Sequence, residues 1–475
     1  MDTLLAELPE WLRSYGPAIW AGYLLVLSVW IVLQKRPPLS TLSWILSMAW
    51  LPVLGFVVYF FLGPQKVRRQ RLRRQRLRRQ HHAGVRREAA AGAGLPRRKR
   101  GLGDLIERAT GAPVCSLTDL RLLVGGEEKL DALVEAIDSA REHVHLEYYI
   151  LEPDAVGTRV RDALIGALER GVSVRVLLDA VGSARAGRRF LAPLRRAGGR
   201  VARFHPFRAM LLRPLLNLRT HRKIAVIDGR IGLVGGINLC AEVDARHHPE
   251  AWHDYHLRIE GRGVGWLQAL FAEDWLYVTR EALAERDLYP DMPGGALAAQ
   301  VLASGPDSDA EVIHRAFLQA IHDARQRIWL VTPYFVPGEA ALMALGNAAM
   351  RGVEVRLLVP RRSDARLVDY AGRSYFDELM ARSVQIWQYQ PGMLHGKALL
   401  VDDDLSIVGT ANFDPRSFRL NFEVALAVYD ADFNQRLAGQ IDLDFARATR
   451  LRLPRPLGFF RRLGEAVARL FSPIL

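Results

Sequence analysis

His221 to Asn238 reads HRKIAVIDGRIGLVGGIN, and His395 to Asn412 reads HGKALLVDDDLSIVGTAN. Both obey His-x-Lys-x4-Asp-x6-Gly, with His221, Lys223, Asp228 and Gly235 in the first copy and His395, Lys397, Asp402 and Gly409 in the second. Each copy reads as strand, acidic turn, strand; Asp228-Gly229 is a strong hairpin signal and Asp402 to Asp404 a weaker one. Residues i and i+2 share a strand face, so histidine and lysine project together while the aspartate sits at the turn. One such tripeptide is an ordinary exposed strand face. Two copies with the same residues at four offsets indicate a duplicated site.

The duplication extends outward. Leu133 to His145 (LVEAIDSAREHVH) matches Phe317 to Trp329 (FLQAIHDARQRIW) at an offset of 184, and Gly171 to Leu178 (GVSVRVLL) matches Gly352 to Val359 (GVEVRLLV). Helical stretches run into β-branched strands in both halves, which predicts two α/β domains with mostly parallel sheets covered on both faces. A boundary is expected in Pro293 to Ser308, rich in Gly, Ala, Ser and Pro. The chain divides into residues 1–64, a basic segment and linker at 65–101, and two repeated domains at 102–296 and 297–475, the latter ending in an amphipathic segment.

Of the 475 residues, half are hydrophobic, which excludes a wholly disordered chain. The net charge of +14 is carried by one strap, because Lys66 to Arg100 holds 15 bases and one acid. The neutral remainder argues against a nucleic-acid partner. Cys115 and Cys240 are too few for a disulfide framework and point to a reducing compartment. Pro17 to Leu33 and Leu42 to Leu62 carry no charge; each approaches or reaches the ~20 residues of a membrane-spanning helix. A two-helix transmembrane hairpin is therefore expected. Lys35 and Arg36 lie between the spans and nine bases from Lys66 to Arg79 follow them, so the positive-inside rule puts the N-terminus and the body in the cytoplasm.

The paired motifs resemble those of the phospholipase D superfamily, from about Leu133 to the C-terminus. More narrowly, the continuation Asn412-Phe-Asp414-Pro-Arg416-Ser417-Phe-Arg-Leu420-Asn421-Phe-Glu423, the run Arg219-Thr-His221 and Gly235-Gly236-Ile-Asn238 are similar to the bacterial cardiolipin synthases. The resemblance implies two phospholipase D-like α/β domains with the active site between them, in a multi-pass enzyme of the bacterial inner membrane. The implied enzyme is a phosphatidyltransferase, carrying a phosphatidyl group from one phosphatidylglycerol to another through a phosphatidyl-histidine and releasing glycerol. A hydrolytic phospholipase D, or a transphosphatidylase using another acceptor, is the alternative.

In that chemistry one histidine attacks phosphorus while the other protonates the departing glycerol, so one imidazole is expected neutral and one protonated. His221 is read as nucleophile and His395 as acid/base, although the motifs are near-symmetric. Lys223 and Lys397, with Asn238 and Asn412, would hold the non-bridging oxygens without a metal or other cofactor. The resemblance points to orienting carboxylates about thirty residues beyond each histidine, where Asp254 and Glu423 stand; the competing reading is an ordinary ion pair. Asp228 and Asp402 complete the catalytic motif in a turn-building or supporting role. His81-His82 and His247-His248 read as solvated loop rather than metal ligands. Phe207 to Leu218 reads either as a lipid-dipping segment or as an inter-domain one. Phe460, Leu463, Val467, Leu470 and Phe471 form either an interfacial helix or one packed on the body.

Overall fold

The computed structural model describes residues 10–34, 38–51, 53–56, 59, 94–205, 218–283, 288–308 and 310–475. The basic strap up to residue 93 and the segment before Leu218 lie outside these residues. An N-terminal unit and a body form separate compact units.

The N-terminal unit contains α1 (Glu10–Val32) and α2 (Pro38–Trp50). Ile31 and Met48 are buried, the Tyr59 ring meets Trp30 and Trp44 edge-on at 5.5 and 5.1 Å, and the Tyr59 hydroxyl bonds Gln34. Most other large apolar side chains here face outward, among them Leu25, Val26 and Leu33. Among the described residues no helix is long and apolar enough to cross a membrane; most residues after Phe56 in the second apolar run are not described.

The body begins with α3 (Arg100–Thr110), β1 (Cys115–Val124) and α4 (Gly125–Ser139). Two βαβ units follow, β2 (His143–Tyr148), α5 (Ala155–Glu169), β3 (Ser173–Asp179), α6 (Arg188–Arg196) and β4 (Arg200–Phe204). Next come the short β5 (Arg219–Thr220), the motif hairpin β6 (Ile224–Ile227) and β7 (Ile231–Gly235), then β8 (Tyr255–Gly261) and α7 (Gly263–Thr279). The second half repeats the plan. It has β9 (Leu297–Ser304), α8 (Val312–Asp323), β10 (Arg327–Val331), α9 (Glu339–Met350), β11 (Glu354–Pro360), α10 (Arg366–Arg373), α11 (Phe376–Met380) and β12 (Gln385–Tyr389). Its motif hairpin is β13 (Ala398–Val401) and β14 (Leu405–Gly409), followed by α12 (Pro415–Arg419), β15 (Asn421–Val428), α13 (Ala431–Ala446), β16 (Ala448–Arg450) and α14 (Phe459–Arg469).

These strands form one continuous sheet in the order β16-β12-β11-β10-β13-β14-β15-β9-β1-β8-β7-β6-β2-β3-β4. Apart from β16, one half of this order mirrors the other about the β9–β1 pair, where Cys115 to Leu117 meet Leu297 to Ala299. Two expectations need correction. The halves do not carry separate sheets, and part of the expected boundary is the central strand β9. Nor is the sheet mostly parallel: only the outer β2-β3-β4 and β10-β11-β12 sets and the short β5–β15 contact are parallel. The motif hairpins and the four central strands pair antiparallel. The sheet is nevertheless buried on both faces. One apolar layer includes α7 and α13 residues such as Leu267 and Leu437 from both halves, and separate layers bury Ile321 of α8 and Leu133 of α4.

The motif aspartates build this frame. Asp228 and Asp402 adopt left-handed backbone angles, φ 53° and 52°, a conformation that a short polar side chain tolerates. The Asp228 carboxylate accepts from the amides of Arg141, Glu142 and His143 at 2.8 to 2.9 Å. That of Asp402 accepts from Arg325, Gln326 and Arg327 at 2.8 to 3.3 Å. Each aspartate thus clamps the entry of β2 or β10 to its own hairpin turn, away from the imidazoles. We expect Asp402→Ala to lower stability by about 2–3 kcal/mol through loss of charge-assisted bonds to several amides. Asp403→Ala, which removes a largely exposed partner of Arg327, should change it by about 0.5 kcal/mol or less. Denaturant unfolding checks this, and equal midpoints for the two variants would contradict it.

Candidate active site

The two motifs meet through the backbone before their side chains are considered. β5 lies parallel to the start of β15, and the amide of His221 donates to the carbonyl of Phe422 at 2.9 Å. On the other side His253 bridges Leu394 in parallel, and the amide of His395 donates to the carbonyl of His253 at 2.7 Å. Each motif histidine is therefore bonded to the residue that precedes the opposite half's carboxylate.

The side chains follow that crossing. His221 Nδ1 stands 3.0 Å from Glu423 Oε2, and His395 Nδ1 stands 2.6 Å from Asp254 Oδ2. Both pairs join the two halves. With Nδ1 held by a carboxylate, Nε2 of each ring is left as the reactive nitrogen. Thr410 Oγ1 also donates to Glu423 Oε2, and Asn421 Nδ2 donates to Oε1 at 3.1 Å. Asp254 Oδ1 accepts from the amide of Tyr255 at 2.7 Å, and Oδ2 lies 3.6 Å from Lys397 Nζ. Both carboxylates are completely buried.

The expected strand face is not there: residues 221–223 and 395–397 lie in the links just before β6 and β13, and each lysine turns back onto its histidine. Lys223 Nζ donates to the His221 carbonyl at 2.9 Å; Lys397 Nζ donates to the His395 carbonyl and stands 2.8 Å from His395 Nδ1. Asn238 Oδ1 accepts from the amide of Ile150 at 3.3 Å. Asn412 Oδ1 is buried with no partner among the described residues.

Burial governs the protonation states. It pushes His221 below its ordinary value against the attraction of Glu423, and pushes His395 down to about 4 with help from the Lys397 cation. The expectation of one neutral and one protonated imidazole does not hold at rest, because both prefer the neutral form. Burial also lowers Lys223 to about 7 and Lys397 to about 8, each opposed by a carboxylate, Glu423 and Asp254 respectively. Burial favours the protonated form of Asp254 and Glu423. That effect is outweighed by Lys397 and His395 for the first and by His221 and Lys223 for the second, so both carboxyls fall below the usual range. The site is two anions among bases whose protonated forms burial disfavours, and a neighbouring anion would shift those bases back toward protonation.

Sequence reasoning missed four contributors. The Tyr149 ring meets His221 edge-on at 5.0 Å, and the Trp252 ring lies 4.8 Å from that of His395, walling the imidazoles. Thr410 was legible only as the counterpart, fifteen residues past the motif histidine, of Gly236. Asp274, on α7, pairs with buried Arg222, the residue between His221 and Lys223.

A family profile described as "Cardiolipin synthase, PLD-like domain" matches residues 133–275 and again 317–445, and one described as "Phospholipase_D-nuclease N-terminal" matches 24–64. Cardiolipin synthase 1 of Bacillus anthracis is 35% identical over 98% of this chain and 94% of its own. The cardiolipin synthase of Geobacillus sp. (strain WCH70) is 38% identical over 94% of this chain and 91% of its own. Among solved structures, a phosphatidylserine synthase of Haemophilus influenzae Rd KW20 shares the fold with TM-score 0.60 and 14% identity, covering 79% of this chain and all of that one.

Anion binding should be proton-linked. Since burial lowers Lys223 to about 7 and Lys397 to about 8, raising the pH through that range should remove the cations that attract an anion. Affinity for tungstate, a phosphate mimic, should fall by up to about tenfold per pH unit while one proton is coupled, with net proton uptake on binding. Calorimetry in buffers of different ionisation enthalpy measures both; a flat profile without proton uptake would contradict the assignment. By its two family-matched halves and its near full-length relatives, the chain belongs to the phospholipase D-like cardiolipin synthase family.

Proposed function

We propose that the protein is a cardiolipin synthase that transfers a phosphatidyl group between two phosphatidylglycerols. The observation that carries the mechanism is the pair of buried imidazoles, each held at Nδ1 by a carboxylate from the other half. The donor phosphodiester is an anion, and its arrival favours protonation of the neighbouring bases, including His395. His221 Nε2 attacks phosphorus in line; the bond to the glycerol oxygen breaks and that oxygen takes the proton from His395. The phosphatidyl-histidine then meets the hydroxyl of a second phosphatidylglycerol, whose proton passes to His395 as its oxygen attacks phosphorus and releases His221. Protonated Lys223 and Lys397, with the amide groups of Asn238 and Asn412, offset charge on the non-bridging oxygens. His221 is favoured as nucleophile because Lys223 contacts only its carbonyl, whereas Lys397 also crowds His395 Nδ1. Asp228 and Asp402 support the site through its frame.

The N-terminal unit is proposed to be a two-helix transmembrane anchor holding the body at the cytoplasmic face of the bacterial inner membrane. That reading rests on the two charge-free runs, the outward apolar side chains of α1, the family match at 24–64 and the bases that follow it. The proposed division into anchor (1–64), basic linker (65–101) and two phospholipase D-like halves (102–296 and 297–475) follows from it.

Two outcomes test this function. Pure phosphatidylglycerol should give cardiolipin and glycerol without a nucleotide, and activity should survive EDTA, because exchanging one phosphodiester for another needs neither. Phosphatidic acid as the main product would establish the hydrolytic alternative, and loss in EDTA restored by one divalent ion would refute the metal-free mechanism. With a lipid bearing a good leaving group, His395→Ala should still form a covalent adduct visible by intact mass, and His221→Ala none. The reverse pattern would exchange the roles of the two histidines.

A further inference from the structure

Helix α14 leaves its apolar stripe facing outward. Glu465 and Ala468 face the body, whereas Phe460, Leu463, Val467 and Leu470 are 85, 48, 47 and 76% exposed. A helix recruited to fill a core would present the opposite face. The orientation is held by specific contacts: Arg455 bonds Glu465 and Asp377, the Tyr375 hydroxyl meets Ser472 Oγ at 3.0 Å, and the Arg469 guanidinium lies 4.2 Å from the Tyr375 ring centre. Across a shallow groove α10 adds Leu367 and Tyr370, 46 and 38% exposed.

The surrounding charge favours an anionic occupant. Arg366, Arg461 and Arg462 are exposed at the rim. The neighbouring acids are already matched, Glu465 by Arg455 and Glu378 by Arg382 and Arg469. An apolar face edged with arginine suits the boundary between acyl chains and headgroups.

The chain flanking both helices also approaches the candidate site. The Leu475 carbonyl, just beyond α14, accepts from the amide of Arg416 at 3.1 Å, in the short α12 that follows Asn412. Asp364, just before α10, accepts from the Tyr334 hydroxyl at 2.6 Å, and its charge bears on Lys397.

We propose that the α10–α14 face docks onto an anionic bilayer surface, with Phe460, Leu463, Val467 and Leu470 at the acyl boundary and Arg366, Arg461 and Arg462 on lipid phosphates. Docking holds the body against the surface that carries its lipid; this last step rests on the transphosphatidylase reading, while the docking does not.

The test uses the full chain with Val467→Cys labelled by an environment-sensitive fluorophore, both native cysteines being buried. It is reconstituted into phosphatidylglycerol-phosphatidylcholine or pure phosphatidylcholine vesicles containing shallowly brominated lipid. Strong quenching is expected in the anionic vesicles, with the docked fraction falling roughly tenfold in neutral vesicles or on adding Arg461→Gln and Arg462→Gln. A label at Phe460→Cys should behave alike, and one at exposed Glu169→Cys should not be quenched. Absence of quenching at positions 460 and 467 would overturn the proposal. So would a signal that follows protein density rather than brominated lipid, which would identify a second copy as the occupant. Quenching needs no turnover. Quenching without cardiolipin formation by the parent would sink the proposed reaction and leave docking, and turnover without quenching would do the reverse.

Discussion

The crossed imidazole–carboxylate pairs are the constraint on which the rest of the site depends. Neither half holds a complete reactive histidine, because His221 takes its carboxylate from β15 and His395 takes its own from just before β8. A buried imidazole left without such a partner has no fixed tautomer, and a buried carboxylate without its imidazole carries a desolvation cost. The continuous sheet brings the halves into register, and the backbone bonds from His221 to Phe422 and from His395 to His253 place each ring beside the following carboxylate. Duplication and fusion have produced one site whose two chemical groups are each shared.

The shared plan is not carried through identically. At the position fifteen residues after His221, a side chain on Gly236 would meet the Asp254 carboxylate at 2.2 Å; its counterpart Thr410 instead donates to the longer Glu423. Between histidine and lysine, a side chain on Gly396 would meet the Tyr255 ring at 2.7 Å, whereas Arg222 is buried and paired with Asp274. Glu423 therefore has three side-chain donors, while Asp254 faces His395 and Lys397 together. Near-identical motifs acquire different electrostatic settings, which is what two different roles in one reaction require.

Much of this was legible locally. The acidic turn and the helix-to-strand repeats are short-range signals, and each corresponds to an observed element, whereas the His-x-Lys tripeptides at 221–223 and 395–397, expected on strand faces, lie in the links just before β6 and β13. The crossing was not legible, since it arises from pairing between residues 202 and 141 positions apart. The parallel-sheet expectation failed for a related reason: the outer βαβ units are parallel, but buried antiparallel strands present the same unbroken apolar runs as parallel ones, as in Val424 to Val428 (VALAV) of β15. Tyr149 and Trp252 escaped notice because no motif distinguishes a ring that walls an active site from one that fills a core. The inverted packing of α14 was invisible too, since spacing reveals an apolar stripe but not the direction it faces.

The most direct test of the crossed site separates the two carboxylates by the step each one serves. Single-turnover adduct formation on a lipid with a good leaving group should be slowed roughly a hundredfold or more by Glu423→Gln, which acts on His221. Asp254→Asn should slow it far less and instead depress turnover on phosphatidylglycerol, where the departing glycerol needs its proton. The opposite pattern, with Asp254→Asn abolishing adduct formation and Glu423→Gln sparing it while His221→Ala still forms no adduct, would contradict the pairing of each histidine with the other half's carboxylate.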